Sequence, residues 1–244
     1  MQKGLCMRMR DTDWKPLALV PLLALLVLPF IGSGSTWLTL TVAGLAMGMI
    51  IFIIASGLTL IFGLMDVLNF GHGVFIALGA FVATSVLGAM GDWTGSHELW
   101  RNLVAVLPAM VVAMLVAGAV GLAFERFIVR PVYGQHLKQI LITMGGMIIG
   151  EELIKVIWGP QQIPLPLPMG MRGSLLVGDA AIEKYRLIAV VVGLVVFAVL
   201  VWVLARTKVG LLIRAGVQDR EMVEALGYRI RRLFVGVFVA GSAL

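Results

Sequence analysis

Seven long apolar runs constrain what this chain can fold into more than any other feature of its sequence. The runs cover residues 17–31, 37–62, 73–90, 103–124, 140–158, 187–204 and 233–244. Most of them are close to the roughly 20 residues that a helix needs to cross a bilayer. They are continuous rather than alternating, and a backbone in lipid must satisfy its own hydrogen bonds, so helices are favoured over strands. The sequence therefore predicts an all-α, polytopic transmembrane helix bundle of about seven spans, with the last span cut short.

The composition excludes most water-soluble functions. Of the 244 residues, 60% are hydrophobic and 13% are charged, whereas soluble domains are about 45–50% apolar and about 25% charged. The net charge of +6 is not gathered into a nucleic-acid-binding module, so no nucleic acid partner is expected. Cys6 is the single cysteine, and the sequence has no HExxH or GxSxG string. We therefore expect no catalytic residue, no metal site and no cofactor.

The distribution of Lys and Arg predicts the orientation of the chain, because positively charged loops stay cytoplasmic. Most of the 19 basic residues fall in the head, in the loop after the fourth span and in the loop after the sixth span: Lys3, Arg8, Arg10 and Lys15; Arg126, Arg130 and Lys138; and Arg206, Lys208, Arg214, Arg220, Arg229, Arg231 and Arg232. Seven crossings place all three segments on one side, with a turn at residues 63–72 that can dip into the protein. Residues 1–15 are then a cytoplasmic N-terminal segment, and residues 16–244 are the membrane domain.

The longest basic loop, residues 205–232, predicts short amphipathic helices that end at Gly227. Apolar residues such as Leu211, Val223 and Leu226 are interleaved there with charged ones, in the broken pattern of a half-exposed helix. The loop is either a docking surface for another protein or a solvated connector whose basic residues touch anionic lipid headgroups. The charge pattern alone leaves both interpretations open.

The string NFGHG, residues 69–73, interrupts two apolar runs. Gly71 and Gly73 permit backbone geometry that other residues resist, and a break between two membrane helices leaves amide groups that must line a cavity or be buried against protein. Asn69 and His72 can satisfy those groups. They either cap helix ends and do nothing more, or they line the route of a solute.

The fifth span contains Glu151, Glu152 and Lys155 in an otherwise apolar run. A charge at mid-membrane costs at least about 2.5–3.5 kcal/mol, so such groups usually face a bundle interior and find partners. Glu151 and Lys155 are four residues apart on one helical face, so we expect them to pair. Glu152 is then left to find another donor or to stay protonated. Packing, contact with a partner subunit and a role toward a transported zwitterion are the open interpretations.

Three strings of the chain resemble one known family. They are Arg214-Ala215 followed by QDRE at residues 218–221 and EALG at residues 224–227; GLTLIFGLMDVLNFGHGVFIALGAFVA at residues 57–83; and ERFIVRP at residues 125–131. Their order and their sides of the membrane are similar to those of permease subunits of ABC importers for branched-chain amino acids. The first string resembles the cytoplasmic coupling loop of these permeases, in which a short helix inserts into a groove of the ATPase subunit. The resemblance begins at about residue 40.

This resemblance implies a permease subunit that translocates branched-chain or related amino acids across the bacterial inner membrane. Separate subunits would hydrolyse the ATP, since the chain has no G-x-x-x-x-G-K-[ST] string and is not expected to be an enzyme. The implied partners are ABC ATPase subunits, a second homologous permease and a periplasmic solute-binding protein, besides membrane lipid.

The resemblance also assigns residues to roles. The implied coupling residues are Arg214, Asp219, Arg220, Glu221, Glu224 and Gly227. Together with the charges of the fifth span, the candidates for the translocation path are Asn69, Phe70, His72, Gly73, Glu151 and Glu152. The alternative function is a secondary transporter of a small solute, driven by an ion gradient through Glu151 or Glu152.

Overall fold

The computed structural model describes residues 15–165 and 167–244. In these ranges the helices and strands are α1 Lys15–Ile31, α2 Gly34–Met65, α3 His72–Ala89, α4 Gly91–Thr94, α5 Leu99–Phe124, α6 His136–Trp158, β1 Ser174–Val177, β2 Ala180–Glu183, α7 Lys184–Arg206, α8 Lys208–Gln218, α9 Arg220–Ala225 and α10 Ile230–Ala243. A π-helical turn, Glu125–Val129, and a 3-10 turn, Arg130–Val132, follow α5. The predicted N-terminal segment, apart from Lys15, lies outside the described residues.

Each predicted apolar run falls on a helix, so the prediction of an all-α polytopic membrane protein is confirmed. Within the described ranges, four helical stretches are long and apolar enough to cross a membrane: Gly34–Gly63, His72–Ala89, Leu99–Val132 and Lys184–Arg206. The other three runs correspond to α1, which has 17 residues and two internal prolines, to α6, which carries four charged residues, and to α10, which has 14 residues.

The main buried cluster lies where α2 and α5 end and where α3 and α10 begin. We call it the end cluster, and its members are Ile61, Met65, Val67, Phe75, Phe124, Val129, Ile213, Val223, Ile230, Phe234, Val237 and Phe238. Phe75 is at its centre, with its ring edge-on to Phe124 at 5.3 Å and to Phe238 at 6.2 Å between centroids. Such pairs add roughly 0.5–1.5 kcal/mol each beyond their buried area.

Small residues allow α10 to pack closely between α2 and α5. A Cβ atom built on Gly57 would lie 2.5 Å from the carbonyl oxygen of Gly241, and one built on Gly121 would meet the side chain of Ser242 at the same distance. Side chains there would push the helices apart, which is why small residues mark helix crossings in membranes. These contacts hold the last described helix in the interior of the bundle.

The basic loops that the sequence predicts to be cytoplasmic gather at the end-cluster side of the bundle, because α8 and α9 pack there with the residues that follow α5. Three tryptophans lie at or near the opposite ends of the helices, Trp37 on α2, Trp100 on α5 and Trp158 on α6, and Trp202 lies near the end of α7 that leads into α8. Tryptophan is enriched at membrane–water interfaces. A two-stranded antiparallel hairpin of β1 and β2 also lies at that side, where β2 packs on α2 and all four residues of β1 are exposed.

Candidate functional site

The predicted amphipathic helices of the long basic loop are confirmed as α8 and α9. Thr207 begins α8, because its hydroxyl accepts a hydrogen bond from the backbone N–H of Gly210 at 3.2 Å. Asp219 ends α8 and begins α9, since its Oδ1 accepts from the N–H of Met222 at 2.9 Å. Gly227 follows α9 with φ of +87°, a conformation that side chains disfavour. Residues within the loop therefore determine where α8 and α9 begin and end, and the chain turns a corner between them at Asp219.

One face of α8 and α9 is buried against the bundle. Ile213 and Val223 are 3% and 4% exposed and belong to the end cluster. Large apolar side chains on the other side are each more than half exposed: Leu211 and Val217 on α8, Met222 on α9, and Leu226 and Tyr228 after α9. Of the apolar residues in the predicted amphipathic pattern, Val223 is buried, whereas Leu211 and Leu226 are exposed. An exposed apolar patch rimmed by charges is the signature of a protein-docking surface.

The predicted coupling residues surround this exposed face. Arg214 lies on α8 and Glu224 on α9, both exposed, whereas Asp219 and Gly227 shape the corner. Arg220 and Glu221 form the first turn of α9, and their side chains are outside the described part of the structure. Among the described side chains of the predicted set, Arg214, Asp219 and Glu224 are exposed on or beside α8 and α9.

Three residues of the NFGHG string, Asn69, Gly71 and His72, are buried in the bundle, and the other two are exposed. Residue Asp66 ends α2 in a left-handed conformation with φ of +53°, and the chain then doubles back along α2. Ring nitrogen Nε2 of His72 lies 3.3 Å from the carbonyl oxygen of Ile54, which is 11 residues, or about 16 Å, before the end of α2. The expected turn therefore does dip into the protein, and α3 begins within the bundle.

Hydrogen bonds hold this re-entrant segment, residues 66–71, in place. The side-chain Oδ1 of Asn69 accepts from the N–H of Gly71 at 3.0 Å. The hydroxyl oxygen of Thr143 on α6 accepts from the N–H of Phe70 at 3.3 Å and donates to the carbonyl oxygen of Gln139 at 2.7 Å. Thr143 is fully buried. It was not among the predicted site residues, although a threonine inside an apolar run was a signal that could have found it.

Two buried polar atoms, one in the segment and one on the first residue of α3, have no hydrogen-bond partner among the described residues. They are Nδ2 of Asn69 and Nδ1 of His72, on side chains that are 4% and 6% exposed. Buried polar atoms without partners are rare, and each calls for an explanation such as a water or a ligand. His72 does not cap α3 but ties it to α2, so capping alone does not explain both residues. Phe70 and Gly73, by contrast, are exposed at the outside of the single chain.

The re-entrant segment and the α8–α9 surface are joined through the end cluster. Val67, in the first half of the segment, is fully buried in the same cluster as Ile213 of α8 and Val223 of α9. Rigid packing of this kind transmits displacement, because protein interiors are close-packed. No sequence pattern pointed to Val67, since one valine in an apolar region looks like any other.

The ERFIVRP string contributes a buried carboxylate to the same end of the bundle. Glu125 is 2% exposed, and its Oε1 accepts a hydrogen bond from the hydroxyl of Tyr133 at 2.7 Å. It lies in the π-helical turn after α5, next to Val129 of the end cluster. A buried carboxylate must be hydrogen-bonded to be tolerated. Its placement indicates that this turn is a fixed support for the loops around it.

The charges of the fifth span are paired differently from the prediction. Lys155 forms its ion pair with Glu152, at 2.7 Å between Nζ and Oε1, and not with Glu151. A separation of three residues brings the two side chains onto the same side of α6 as effectively as four. All three side chains are exposed at the outside of the chain, so the structure does not bring Glu151 and Glu152 together with Asn69 and His72.

Comparison with known proteins shows clear relatives. The family described as "Branched-chain amino acid transport system / permease component" matches residues 40–244. The chain is 29% identical over 215 residues to the high-affinity branched-chain amino acid transport system permease protein BraD of Pseudomonas aeruginosa. The aligned region covers 83% of this chain and 66% of BraD. It is 27% identical over 210 residues to the corresponding permease protein LivH of Escherichia coli K12, covering 82% of this chain and 65% of LivH.

The chain thus spans slightly less than two thirds of the length of these curated relatives. No solved structure matches it.

Proposed function

Because the chain belongs to the family of branched-chain amino acid transport system permease components, we propose that it acts as the membrane-spanning permease subunit of an ABC importer. The solutes are branched-chain or related amino acids, and separate subunits bind and hydrolyse the ATP. This chain carries no ATPase site of its own and moves the solute by changing conformation. The relatives BraD and LivH, which are named as permease proteins of high-affinity branched-chain amino acid transport systems, support the choice of solute.

The observation that carries the proposal is that α8 and α9 have one side buried in the bundle and one side exposed. Their inner face is locked into the end cluster, and their outer face presents Met222 and Leu226, which are 61% and 70% exposed. If the loop were only a connector in water, exposing such apolar side chains on ordered helices would be unfavourable. A groove on an ATPase subunit would bury them.

The exposed side of α8 and α9 is the proposed coupling surface, and its residues contribute contact area, charge and backbone geometry. Met222 and Leu226 supply apolar contact area, and Arg214, Arg220, Glu221 and Glu224 supply charges that orient the partner, since charged groups contribute to the rate and specificity of docking. Asp219 and Gly227 hold the corner in shape. The cytoplasmic loop of residues 205–232 is the part of the membrane domain that contacts the motor.

The translocation path runs beside the re-entrant segment. Asn69 and His72 offer buried polar atoms that have no partner in the described chain, and Phe70 and Gly73 border them on the exposed side. Interrupted helices near the middle of a membrane bundle are a common way to build solute sites. ATP-driven closure of the motor subunits pushes α8 and α9, and the end cluster passes this displacement to Val67 and the segment.

Other subunits complete the transporter. A second homologous permease faces this one, a periplasmic solute-binding protein delivers the solute, and the complex resides in the bacterial inner membrane with the N-terminus in the cytoplasm. Glu151 and Glu152 are exposed on α6, apart from Asn69 and His72, and the proposed path does not include them.

The proposal is tested by purifying the tagged protein from membranes and measuring which ATPase comes with it, together with uptake of labelled leucine, isoleucine and valine. The double variant Met222→Asp/Leu226→Asp should lose the ATPase and the uptake. A matched control is Leu176→Asp on β1, whose side chain is 75% exposed at the other side of the bundle. It should retain both.

Two results would overturn the proposal. One is uptake driven by a proton gradient in vesicles that contain this protein without any ATPase, which is the behaviour of an ion-coupled carrier. The other is full uptake by the Met222→Asp/Leu226→Asp variant. To test the path separately, Asn69→Ala and His72→Ala should reduce uptake while the ATPase still co-purifies.

A further inference from the structure

The re-entrant segment lies alongside the first two turns of α6. Oδ2 of Asp66, at the start of the segment, is 3.7 Å from Nε2 of His136, the first residue of α6. Further along both elements, the hydroxyl oxygen of Thr143 is 3.3 Å from the carbonyl oxygen of Leu68 and 3.3 Å from the backbone nitrogen of Phe70. The segment and α6 therefore advance side by side in the same direction.

Gln139 lies on α6 between these two contacts. It follows His136 by three residues and precedes Thr143 by four, and residues at such spacings share one face of a helix. Its side chain is 1% exposed, so it is enclosed on the side of α6 that faces the segment. Buried side-chain amides are normally hydrogen-bonded.

The side-chain amides of Gln139 and Asn69 each leave one buried atom without a hydrogen-bond partner in the part of the chain that the structure describes. The atoms are Oε1 of Gln139 and Nδ2 of Asn69, an acceptor and a donor. Oδ1 of Asn69 accepts from the N–H of Gly71 at 3.0 Å, which identifies the other terminal atom as the donor. Asn69 stands between the two residues that contact Thr143, so it lies about one helical turn, roughly 6 Å, beyond Gln139 along α6. The two unpaired groups are complementary and flank the same contact.

This arrangement favours a second position of the segment. Burying a donor and an acceptor unpaired is costly, because the hydrogen bonds that they lose to water are not replaced. The two groups would replace those bonds for each other if they met. Unfavourable local features of this kind persist at elements that have two functional arrangements. The segment is not helical, so it can shift without breaking a ladder of helical hydrogen bonds.

The end cluster determines the direction of that shift. Tyr133, just before α6, packs against the end cluster, and Val67 of the segment belongs to it. Gln139 is nearer than Thr143 to this end of α6. Because α8 and α9 are packed in the same cluster, a displacement of these helices away from the membrane draws Val67, and with it Asn69, toward Gln139.

We propose that Gln139 is a positioning residue for transport: its Oε1 accepts a hydrogen bond from Nδ2 of Asn69 when the re-entrant segment is displaced toward α8 and α9. This inference rests on the proposed function, in which Asn69 borders the translocation path. In the displaced state Gln139 takes the donor of Asn69, so the path no longer offers this group to the solute. The exchange of partners links the position of α8 and α9 to the hydrogen bonds available along the path.

The first test compares the proximity of Asn69 and Gln139 in two states of the full transporter. Asn69→Cys and Gln139→Cys are combined in a Cys6→Ser background, and disulfide formation is measured in native membranes without nucleotide and after trapping with ATP and vanadate. The yield should differ severalfold between the two states. The matched control is Val74→Cys/Gly150→Cys, because the Cβ atom of Val74 lies 3.4 Å from the position of a Cβ atom on Gly150, close to the separation in a disulfide. This contact between α3 and α6 lies outside the segment, so its yield should be equal in both states.

The second test is a double-variant cycle on leucine uptake. Asn69→Ala removes the donor, and Gln139→Met removes the acceptor while keeping the length of the side chain, so each should reduce uptake. The double variant should be no worse than the poorer single variant, because both changes remove the same hydrogen bond. The control cycle combines Asn69→Ala with Asn102→Ala on α5, whose buried Oδ1 also has no partner among the described residues. These two effects should multiply.

Three results would overturn the role of Gln139: equal disulfide yields in the two states, no disulfide in either state, and effects of Asn69→Ala and Gln139→Met that multiply. Failure of the proposed function looks different, since the unmodified transporter would then show no ATP-driven leucine uptake, which would remove the basis of both ideas. ATP-driven uptake together with a disulfide yield that does not depend on the state contradicts the role of Gln139 alone.

Discussion

The capping of α9 by Asp219 gives the most direct test of the proposed coupling surface. The Oδ1 atom of Asp219 accepts from the N–H of Met222 at 2.9 Å, and α9 has six residues. A helix this short is not stable by itself, so its cap and its contact through Val223 hold it. Replacing an N-cap aspartate by alanine costs about 1 kcal/mol, which corresponds to about a fivefold increase in the open population of α9.

Two substitutions separate the hydrogen bond from the charge. Asp219→Ala removes the acceptor, whereas Asp219→Asn keeps an acceptor oxygen and removes the charge, and the two residues cap about equally well. Hydrogen exchange at the amides of α9, followed by mass spectrometry, should be about fivefold faster in Asp219→Ala and close to normal in Asp219→Asn. Co-purification of the ATPase should weaken in the same order.

Either of two results would refute this reasoning. Unchanged exchange in Asp219→Ala would mean that the cap does not stabilise α9. Equal acceleration in both variants would mean that the charge, and not the hydrogen bond, holds the helix. If Asp219→Asn exchanges normally but loses the ATPase, the carboxylate itself contacts the motor subunit.

Two further predictions concern the interior. Gly57→Ala should destabilise the protein by roughly 1–3 kcal/mol, because its Cβ would press against the carbonyl of Gly241; thermal unfolding in detergent measures this, and Gly63→Ala, which has open space around it, should change little. Thr143→Val should cost about 1–2 kcal/mol and reduce uptake, because the N–H of Phe70 loses its acceptor. Thr143→Ser should retain uptake, and equal loss in both variants would assign the effect to packing instead.

The helical class of the fold could be predicted from the sequence because lipid imposes a strong local requirement. A backbone in hydrocarbon must bond to itself, so every long apolar run becomes a helix, and each predicted run does fall on one. The α8–α9 corner was predictable for a similar reason. Asp219 and Gly227 act on their own neighbours, so their effect is visible in the order of residues.

The sequence alone determined, therefore, the membrane helices, the amphipathic segment and the polar interruption at Asn69 and His72. Only the tertiary structure decided that Thr143 holds the re-entrant segment and that Val67 joins it to α8 and α9. These outcomes depend on which faces of distant helices meet. Helical periodicity tells which residues share a face, but in a chain that is apolar on nearly every side it does not tell which face lies against protein and which lies against lipid.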